Sequence, residues 1–517
     1  MEGSRKEAGA VEGPFSGRLE RGRQDGLLVA AIGGLSGGLY LVGYVAQRAV
    51  FVNGQAANVA GIVVRGTPPD GARLAIELGV YWGVTALLFL LYALILVLCR
   101  RGALRDGRAA LLALCFPALF NVGLLFGRPF QSMDGLTYVA HGFMGGGFGL
   151  NPYGTAAAEV AYRDGTAGLA RELASFGWLP VHGPSPYGPL WTWIEVAAAS
   201  LTGSVAGALL LLKAVVVAAS LGCAVVIWKI LGRVRPEDRL FGTLVYLWNP
   251  LIVVEFAGEG HNDAVMILFV LVSLLFTVTA RPALSAMGAV AGVLVKYLPV
   301  IFAPAQAVYL WRTRKSTTHL ALSAALAVVY GLILTAALFW PFWIGADTFG
   351  ALRQQGLPFL APTPSGILYW LLLHAAPPEE AAALTLRLLG ALFLLFVLVA
   401  GWRARDAAGL LRACAAISLV YLLVVSAGTW PWYAALPLAL AALTPRGVFL
   451  PMAFVVTFTS RLVSPFSNLV NNRFAGWNDL IDVATVVSVT LPLAILLPLC
   501  VLHWRRTPKP RGSATRP

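Results

Sequence analysis

Apolar runs of about 20 residues recur along the whole chain, and short polar or basic stretches separate them. A run of that length crosses a bilayer as a helix. Backbone facing lipid must satisfy its own hydrogen bonds, so the pattern predicts an all-α polytopic membrane protein. The first three spans are read at Gly26 to Arg48, Leu78 to Leu98 and Ala109 to Phe126. A span at Val205 to Ile230 follows a long polar interval, then a pair at Leu240 to Ala257 and Ala264 to Thr279. The run Ala286 to Leu310 carries Pro299 and Pro304, which break a continuous helix, so two short helices meeting near Lys296 are predicted there. Later runs are Leu320 to Trp340, Ala382 to Ala400, Leu410 to Ser426, the short Ala434 to Leu443 and Phe449 to Phe458, and Val483 to Leu502, with the polar stretch Arg461 to Asp482 read as a loop before the last. The total is about twelve to fourteen transmembrane helices.

Orientation comes from charge. Arg100, Arg101, Arg105 and Arg108, then Lys229, Arg233, Arg235 and Arg239, then Arg312, Arg314 and Lys315 cluster in alternate loops, the positive-inside pattern. Residues 1–25 read as a disordered cytoplasmic tail without a cleavable signal, residues 26–504 as one multi-pass domain, and residues 505–517 as a second cytoplasmic tail. The opposite loops then lie on the extracytoplasmic face of the cell membrane, and the largest of them, residues 128–190, is the longest polar interval. Leu190 to Leu201 and Ile367 to His374 are too short to span and read as interfacial helices, the first anchored by Trp191 and Trp193.

Composition supports this reading. The chain is 58% hydrophobic and only 12% charged, where a soluble protein carries roughly 25% charged residues. The net charge of +14 is explained by the inside clusters, and no basic stripe interleaves with aromatics, so nucleic acid is excluded as a partner. The five cysteines form no CxxC pair, which argues against a thiolate metal site.

With this topology, Asp134, Tyr138, His141, His182, Tyr187, Glu259, His261, Asp263, Arg353, Trp430, Tyr433 and Arg473 all fall at or outside one face, with Lys296 partway into an apolar run. Each has a plain structural alternative. Asp134 could cap a helix, and Glu259, His261 and Asp263 could form a solvated hairpin tip. Lys296 could snorkel, and Trp430, Trp432 and Tyr433 could be an aromatic belt. Arg353 and Arg473 could serve loop solvation or bind phosphate. Ionisable groups of both signs at membrane depth nonetheless point to a site for a polar substrate with a negatively charged part.

The motifs Asp134…Tyr138-Val139-Ala140-His141-Gly142, Leu150-Asn151-Pro152-Tyr153, Pro184-Ser185-Pro186-Tyr187-Gly188-Pro189-Leu190-Trp191, Trp248-Asn249-Pro250-Leu251, Gly260-His261-Asn262-Asp263-Ala264 and Trp430-Pro431-Trp432-Tyr433 occur in this order. Together they resemble the polyprenol-phosphate-mannose-dependent α-(1→6)-mannosyltransferases, membrane glycosyltransferases of the GT-C class. The resemblance implies a GT-C type glycosyltransferase fold with a catalytic first outer loop. It also implies a hexosyl, specifically mannosyl, donor carried on a polyprenyl phosphate, a glycan or glycolipid acceptor, and an aspartate as catalytic residue, which Asp134 matches. Met133 and Gly135 flank it, so the acidic pair common in the class is absent, and a divalent cation is left open as cofactor.

An inverting transfer needs a carboxylate on the acceptor side and cations on the leaving side. Asp134 is therefore read as general base, and Lys296 and Arg473 as partners of the leaving phosphate. His261 and Asp263 would orient hydroxyls, and Tyr187 and Trp430 would face the sugar. Tyr138, His141, Glu259 and Tyr433 complete the expected substrate contacts. A transporter or flippase of lipid-linked sugars is the competing reading, but it predicts charges at the midplane and comparable polar loops on both faces. Mannose, another hexose and arabinose remain open as the sugar.

Overall fold

The computed structural model describes residues 16–52, 57–59, 62–64, 71–355, 363–426 and 430–473, with 492 and 494. It is almost wholly helical. Helices α1 (Ser16–Val52), α2 (Gly71–Arg100) and α3 (Gly107–Leu125) pack together, and a small antiparallel hairpin of β1 (Ala57–Val59) and β2 (Ile62–Val64) joins the first two. The polar interval holds α4 (Asp134–Gly147), a 3-10 turn (Ala157–Ala161), α5 (Ala167–Ser175) and α6 (Pro189–Thr202). Then come α7 (Val205–Val234), α8 (Arg239–Leu247), the single turn α9 (Pro250–Ile252), a π-helical turn (Val253–Gly258), α10 (Asp263–Val278) and α11 (Pro282–Val295). Helices α12 (Ala303–Thr313), α13 (Thr317–Phe339), α14 (Gly350–Gln355), α15 (Pro364–Leu372), α16 (Pro378–Arg403), α17 (Ala407–Val420), α18 (Ala435–Ala442) and α19 (Phe449–Arg473) complete the order.

Among the described residues, seven helices are long and apolar enough to cross a membrane, and the bent pair Pro236–Leu247 and Pro250–Gly258 makes an eighth if it is one span. Four shorter apolar helices cover Asp263–Val278, Pro282–Val295, Pro431–Ala442 and Phe449–Ser464. The protein is a multi-pass, all-helical membrane protein, and several of the predicted spans are these half-length helices. The expected last span, Val483 to Leu502, lies outside the described residues, as do residues 1–15 and the tail 505–517.

Two expectations change. Helix α1 starts at Ser16, so the stretch read as a tail to residue 25 is helical in its last part. The segment from Arg461 onward is not a loop but the end of α19, which runs to Arg473. Arg461 and Ser464 face inward, 2% and 1% exposed, so their polarity marks burial against other polar groups.

The helix ends follow local chemistry. Ser204, Ser316 and Asp406 accept from the amides of Gly207, His319 and Gly409 at the starts of α7, α13 and α17. Pro189 opens α6 at a position that needs no N–H. Trp191, expected as an interface anchor, is fully buried because α6 lies with that face on α4, while Trp193 is 36% exposed and donates to the Leu338 carbonyl at 3.1 Å.

At one end of the bundle the basic loops meet. Arg100 donates to the Pro445 carbonyl at 2.6 Å and stacks over Phe241, and Arg446 pairs with Asp238 at 2.8 Å. At the other end, two interrupted helices create the site. Pro250 cannot continue α8 and bends the chain by 50°; Asn249 caps the new turn through the Leu251 amide at 2.9 Å and holds Thr457 of α19 at 3.1 Å. After α11, Lys296 is extended (φ −154, ψ 134) before the 3-10 turn that leads to α12, as the two prolines predict.

Candidate active site

The loop ahead of α4 is held by one buried carboxylate. Glu259 accepts from the amides of Phe130 at 3.0 Å, Gln131 at 2.9 Å and Ser132 at 3.1 Å. The chain can present Glu259 there because Gly260 adopts φ +81 against Lys213, whose Cγ would lie 3.0 Å from a Cβ at that position. Lys213 itself donates to the Leu124 and Gly127 carbonyls, so it ties down the end of α3. Ser132 Oγ then accepts from the Asp134 amide at 3.1 Å. Met133 occupies the cap position and Asp134 is the first helical residue, so its carboxylate is free of capping and sits at the favourable end of the helix dipole.

Asp134 is 19% exposed and has three partners. Tyr187 donates its hydroxyl to Oδ2 at 3.2 Å, His261 Nδ1 lies 3.7 Å from Oδ2, and His182 Nε2 lies 4.0 Å from Oδ1. Burial alone would raise its pKa, but the contact with His261 and the charges of His261, His182 and Lys296 outweigh it and hold the carboxyl well below the usual range. Burial likewise would depress His261; its contacts with Asp134 and Glu255 outweigh burial and push it up to about 9. His182 is pushed down by burial, partly offset by Asp134.

The Tyr187 motif joins this carboxylate to Lys296. Gly188 donates its amide to the Val295 carbonyl at 3.0 Å, and a Cβ there would sit 2.1 Å from the Leu294 carbonyl oxygen, so only glycine permits the approach. Tyr297 secures the same turn by donating to the Tyr187 carbonyl at 3.2 Å. Lys296 Nζ lies 2.9 Å and 3.1 Å from the two Asp263 oxygens, with the Tyr433 and Tyr187 rings 5.1 Å and 5.8 Å away. Tyr138 braces Tyr187 edge-on at 5.2 Å and packs Trp191 at the same distance.

A second wall is aromatic. Trp430, 39% exposed, stacks on Trp432 at 5.3 Å, and Trp432 stacks on the His261 ring at 3.8 Å. Behind His261, its Nε2 lies 3.3 Å from Glu255 Oε2, and Arg461 bridges Glu255 Oε1 at 2.5 Å and Gln131 Oε1 at 2.7 Å. On the far side of the anchored loop, a small, largely apolar crevice lies between α1, α2 and α3, with Glu259 and Arg461 at its end.

Eight of the sequence-predicted residues therefore assemble around Asp134: Tyr138, Tyr187, Glu259, His261, Asp263, Lys296, Trp430 and Tyr433 join it within one network. Three of the plain alternatives fail: Asp134 does not cap, Glu259, His261 and Asp263 are 0–2% exposed, and Lys296 is paired. Two predicted roles shift. Glu259 spends its oxygens on backbone amides, and Asp263 faces Lys296 rather than open space. His141 lies two turns along α4, fully buried near the Gly183 backbone, and burial depresses it to about 4. Arg353 is not brought in: it pairs with Asp347 at 3.3 Å on the exposed surface. The Arg473 side chain lies outside the described residues.

Sequence reasoning missed Glu255, Arg461 and Gln131. Glu255 sits inside the run read as the span Leu240 to Ala257, and a lone acid inside an apolar run was the available signal. Among the described residues no group of three or more His, Cys, Asp or Glu side chains is arranged to hold a metal ion.

An alpha-(1->6)-mannopyranosyltransferase of Mycobacterium tuberculosis is 30% identical over 156 residues, which are 29% of this chain and 24% of that one, so the match spans about a quarter of the relative's length. The crystal structure of the Archaeoglobus fulgidus oligosaccharyltransferase in its apo form superposes with a TM-score of 0.36 at 12% identity, over 79% of this chain and 59% of that one. The model of the alpha-(1->6)-mannopyranosyltransferase N-terminal domain matches residues 28–312, more than half of the chain and every element from α2 to α11 that builds the Asp134 network from the first outer loop onward. By that match the chain belongs to the alpha-(1->6)-mannopyranosyltransferase family.

Proposed function

We propose that the protein transfers a mannosyl residue from a polyprenyl-phosphate-linked donor to a hydroxyl of a glycan or glycolipid acceptor, with inversion, on the extracytoplasmic face of the membrane. The observation that carries this reading is the pairing of one partly open carboxylate, Asp134, with one partly open ammonium, Lys296, across Tyr187.

The chemistry follows from that pair. The acceptor oxygen attacks the anomeric carbon, the carbon–oxygen bond to the lipid phosphate breaks, and its electron pair leaves with the phosphate. The acceptor's proton passes to Asp134. Because its neighbours favour the ionised form, Asp134 is a weak base at rest. It suffices because the hydroxyl becomes strongly acidic only once its bond to carbon forms, so the proton moves late; such a base contributes about 10²–10⁴-fold. Lys296 stabilises the charge that develops on the departing phosphate, and Asp263 keeps it aimed while sharing its charge. Trp430 offers a ring face to the sugar, backed by Trp432.

The test uses purified protein in detergent with radiolabelled polyprenyl-phosphate-mannose and a short α-mannoside. Wild type extends the acceptor, and Asp134→Asn, folded to the same extent, does not. Equal extension by both removes Asp134 as the base. Donor binding without extension rejects the acceptor, and no donor binding rejects the transferase reading.

A further inference from the structure

We propose that Glu255 and Arg461 are positioning residues for Asp134, acting through His261: the buried run Asp134, His261, Glu255, Arg461 keeps the imidazole charged and fixes the base from behind. The inference rests on the reading of Asp134 as the acceptor's base and concerns residues that touch no substrate.

The geometry is a chain of alternating charge. His261 presents Nδ1 to Asp134 at 3.7 Å and Nε2 to Glu255 at 3.3 Å, and the stacked Trp432 ring at 3.8 Å fixes the plane that makes both contacts possible. Glu255 meets Arg461 at 2.5 Å. Glu255, His261 and Arg461 are 1%, 0% and 2% exposed. With a neutral imidazole, two carboxylates would face one guanidinium and leave a net negative charge out of water, which is costly. An imidazolium closes the balance. The groups that face His261 are Asp134 from α4, Glu255 and Glu259 from its own segment, and, behind Glu255, Arg461 from α19.

The same guanidinium also grips the loop that carries the base. Arg461 donates to Gln131 Oε1 at 2.7 Å, Ser464 donates to the same oxygen at 2.7 Å, and the Gln131 amide is the one bound by Glu259 at 2.9 Å. Position and charge of Asp134 are thus set by one buried device that enters from α19 and the π-helical turn. A π turn offsets side chains by one residue relative to an α-helix, and such turns recur at functional sites.

The test reads His261 directly. Full-length protein in detergent, labelled with ¹⁵N-histidine, is titrated by NMR, with the His261 signal assigned from His261→Gln. In wild type the imidazole is charged at pH 7.5; a wild-type midpoint near 6.5 overturns the proposal without any variant. In Glu255→Gln the midpoint falls by about 1–3 pH units, the effect of one close opposite charge; an unmoved midpoint in the folded variant overturns it. Kinetically, Glu255→Gln lowers kcat about a hundredfold with KM for donor and acceptor unchanged, and Glu255→Asp restores most of it. A change in KM alone, or no rescue by Glu255→Asp, overturns the positioning role. If the wild type transfers no mannose, the transferase reading fails while the titration still decides the relay.

Discussion

Helices α7 and α16 are equally apolar, and both are long enough to span a membrane. Yet 56% of the apolar window of α7 is buried inside the protein and only 17% of that of α16. The difference lies in their neighbours. Helix α7 packs against α6, α8 and α10 and carries Lys213, whose ammonium reaches the end of α3 under the site. Helix α16 packs along α12 and α17 and turns Leu388, Leu392 and Leu395 outward. Apolarity places both in the bilayer, but only partners for polar groups draw a helix into the centre. The family match covers the first of these regions and stops before the second, at residue 312.

The largest effect that separates the regions is on rate. Asp134→Asn should lower transfer by about 10²–10⁴-fold in protein that still folds, whereas no polar substitution on α16 should alter kcat; a kcat effect from Arg387→Gln would break the comparison. Next comes the buried pair. Arg461→Met leaves Glu255 without its guanidinium and should cost about 3–5 kcal/mol, seen as a lower midpoint in thermal unfolding in detergent. The exposed Arg387→Met should cost under about 0.5 kcal/mol.

The apolar faces give a smaller and cleaner test. Ile227→Ala on α7, fully buried, should cost about 2–5 kcal/mol, and Leu392→Ala on α16, 63% exposed, close to nothing. If α16 faces lipid, Leu392→Lys should impair membrane insertion by about 2.5–3.5 kcal/mol, measured as the inserted fraction; tolerance of that lysine would mean the face is wet. The last expected effect is on pH. The His261 pKa is raised from 6.5 to about 9, so its contribution to stability is complete below 6.5 and is lost as pH rises through about 9. That of Asp134, whose pKa is depressed below 3.8, is present above 3.8 and lost on stronger acidification. The melting temperature should therefore decline from pH 6.5 towards pH 9, a decline that should vanish in His261→Gln, and it should also fall below pH 6.5, where the unfolded chain protonates His141 and His182 more readily than the folded one.

The sequence made the membrane class legible because each apolar run is long enough to decide it. It also made Asp134, Tyr187, His261, Asp263 and Lys296 legible, because polar groups that cluster at one face of a hydropathic pattern need a reason to be there. The pairing of these residues was hidden. The Lys296 contact with Asp263 bridges 33 positions, and the Arg461 contact with Glu255 bridges 206, so no local pattern records either. Arg461 was read as loop because its segment is polar, and polarity is equally what a helix shows when it buries a guanidinium against two side-chain oxygens. Glu259 was placed correctly but given to the substrate, since one dimension cannot show that its oxygens are taken by the amides of residues 130–132.

The distance along the chain between Gln131 and Arg461 has a consequence for biosynthesis. At about 5–20 residues per second, the 330 positions between them take on the order of tens of seconds to emerge. Throughout that time the loop with Asp134 is already made, while the guanidinium that locks it has not been translated. Glu259 can hold the loop as soon as it is made, so the nascent chain passes through a stage in which the loop has its carboxylate anchor but not yet the Arg461 contact to Gln131, which waits for α19.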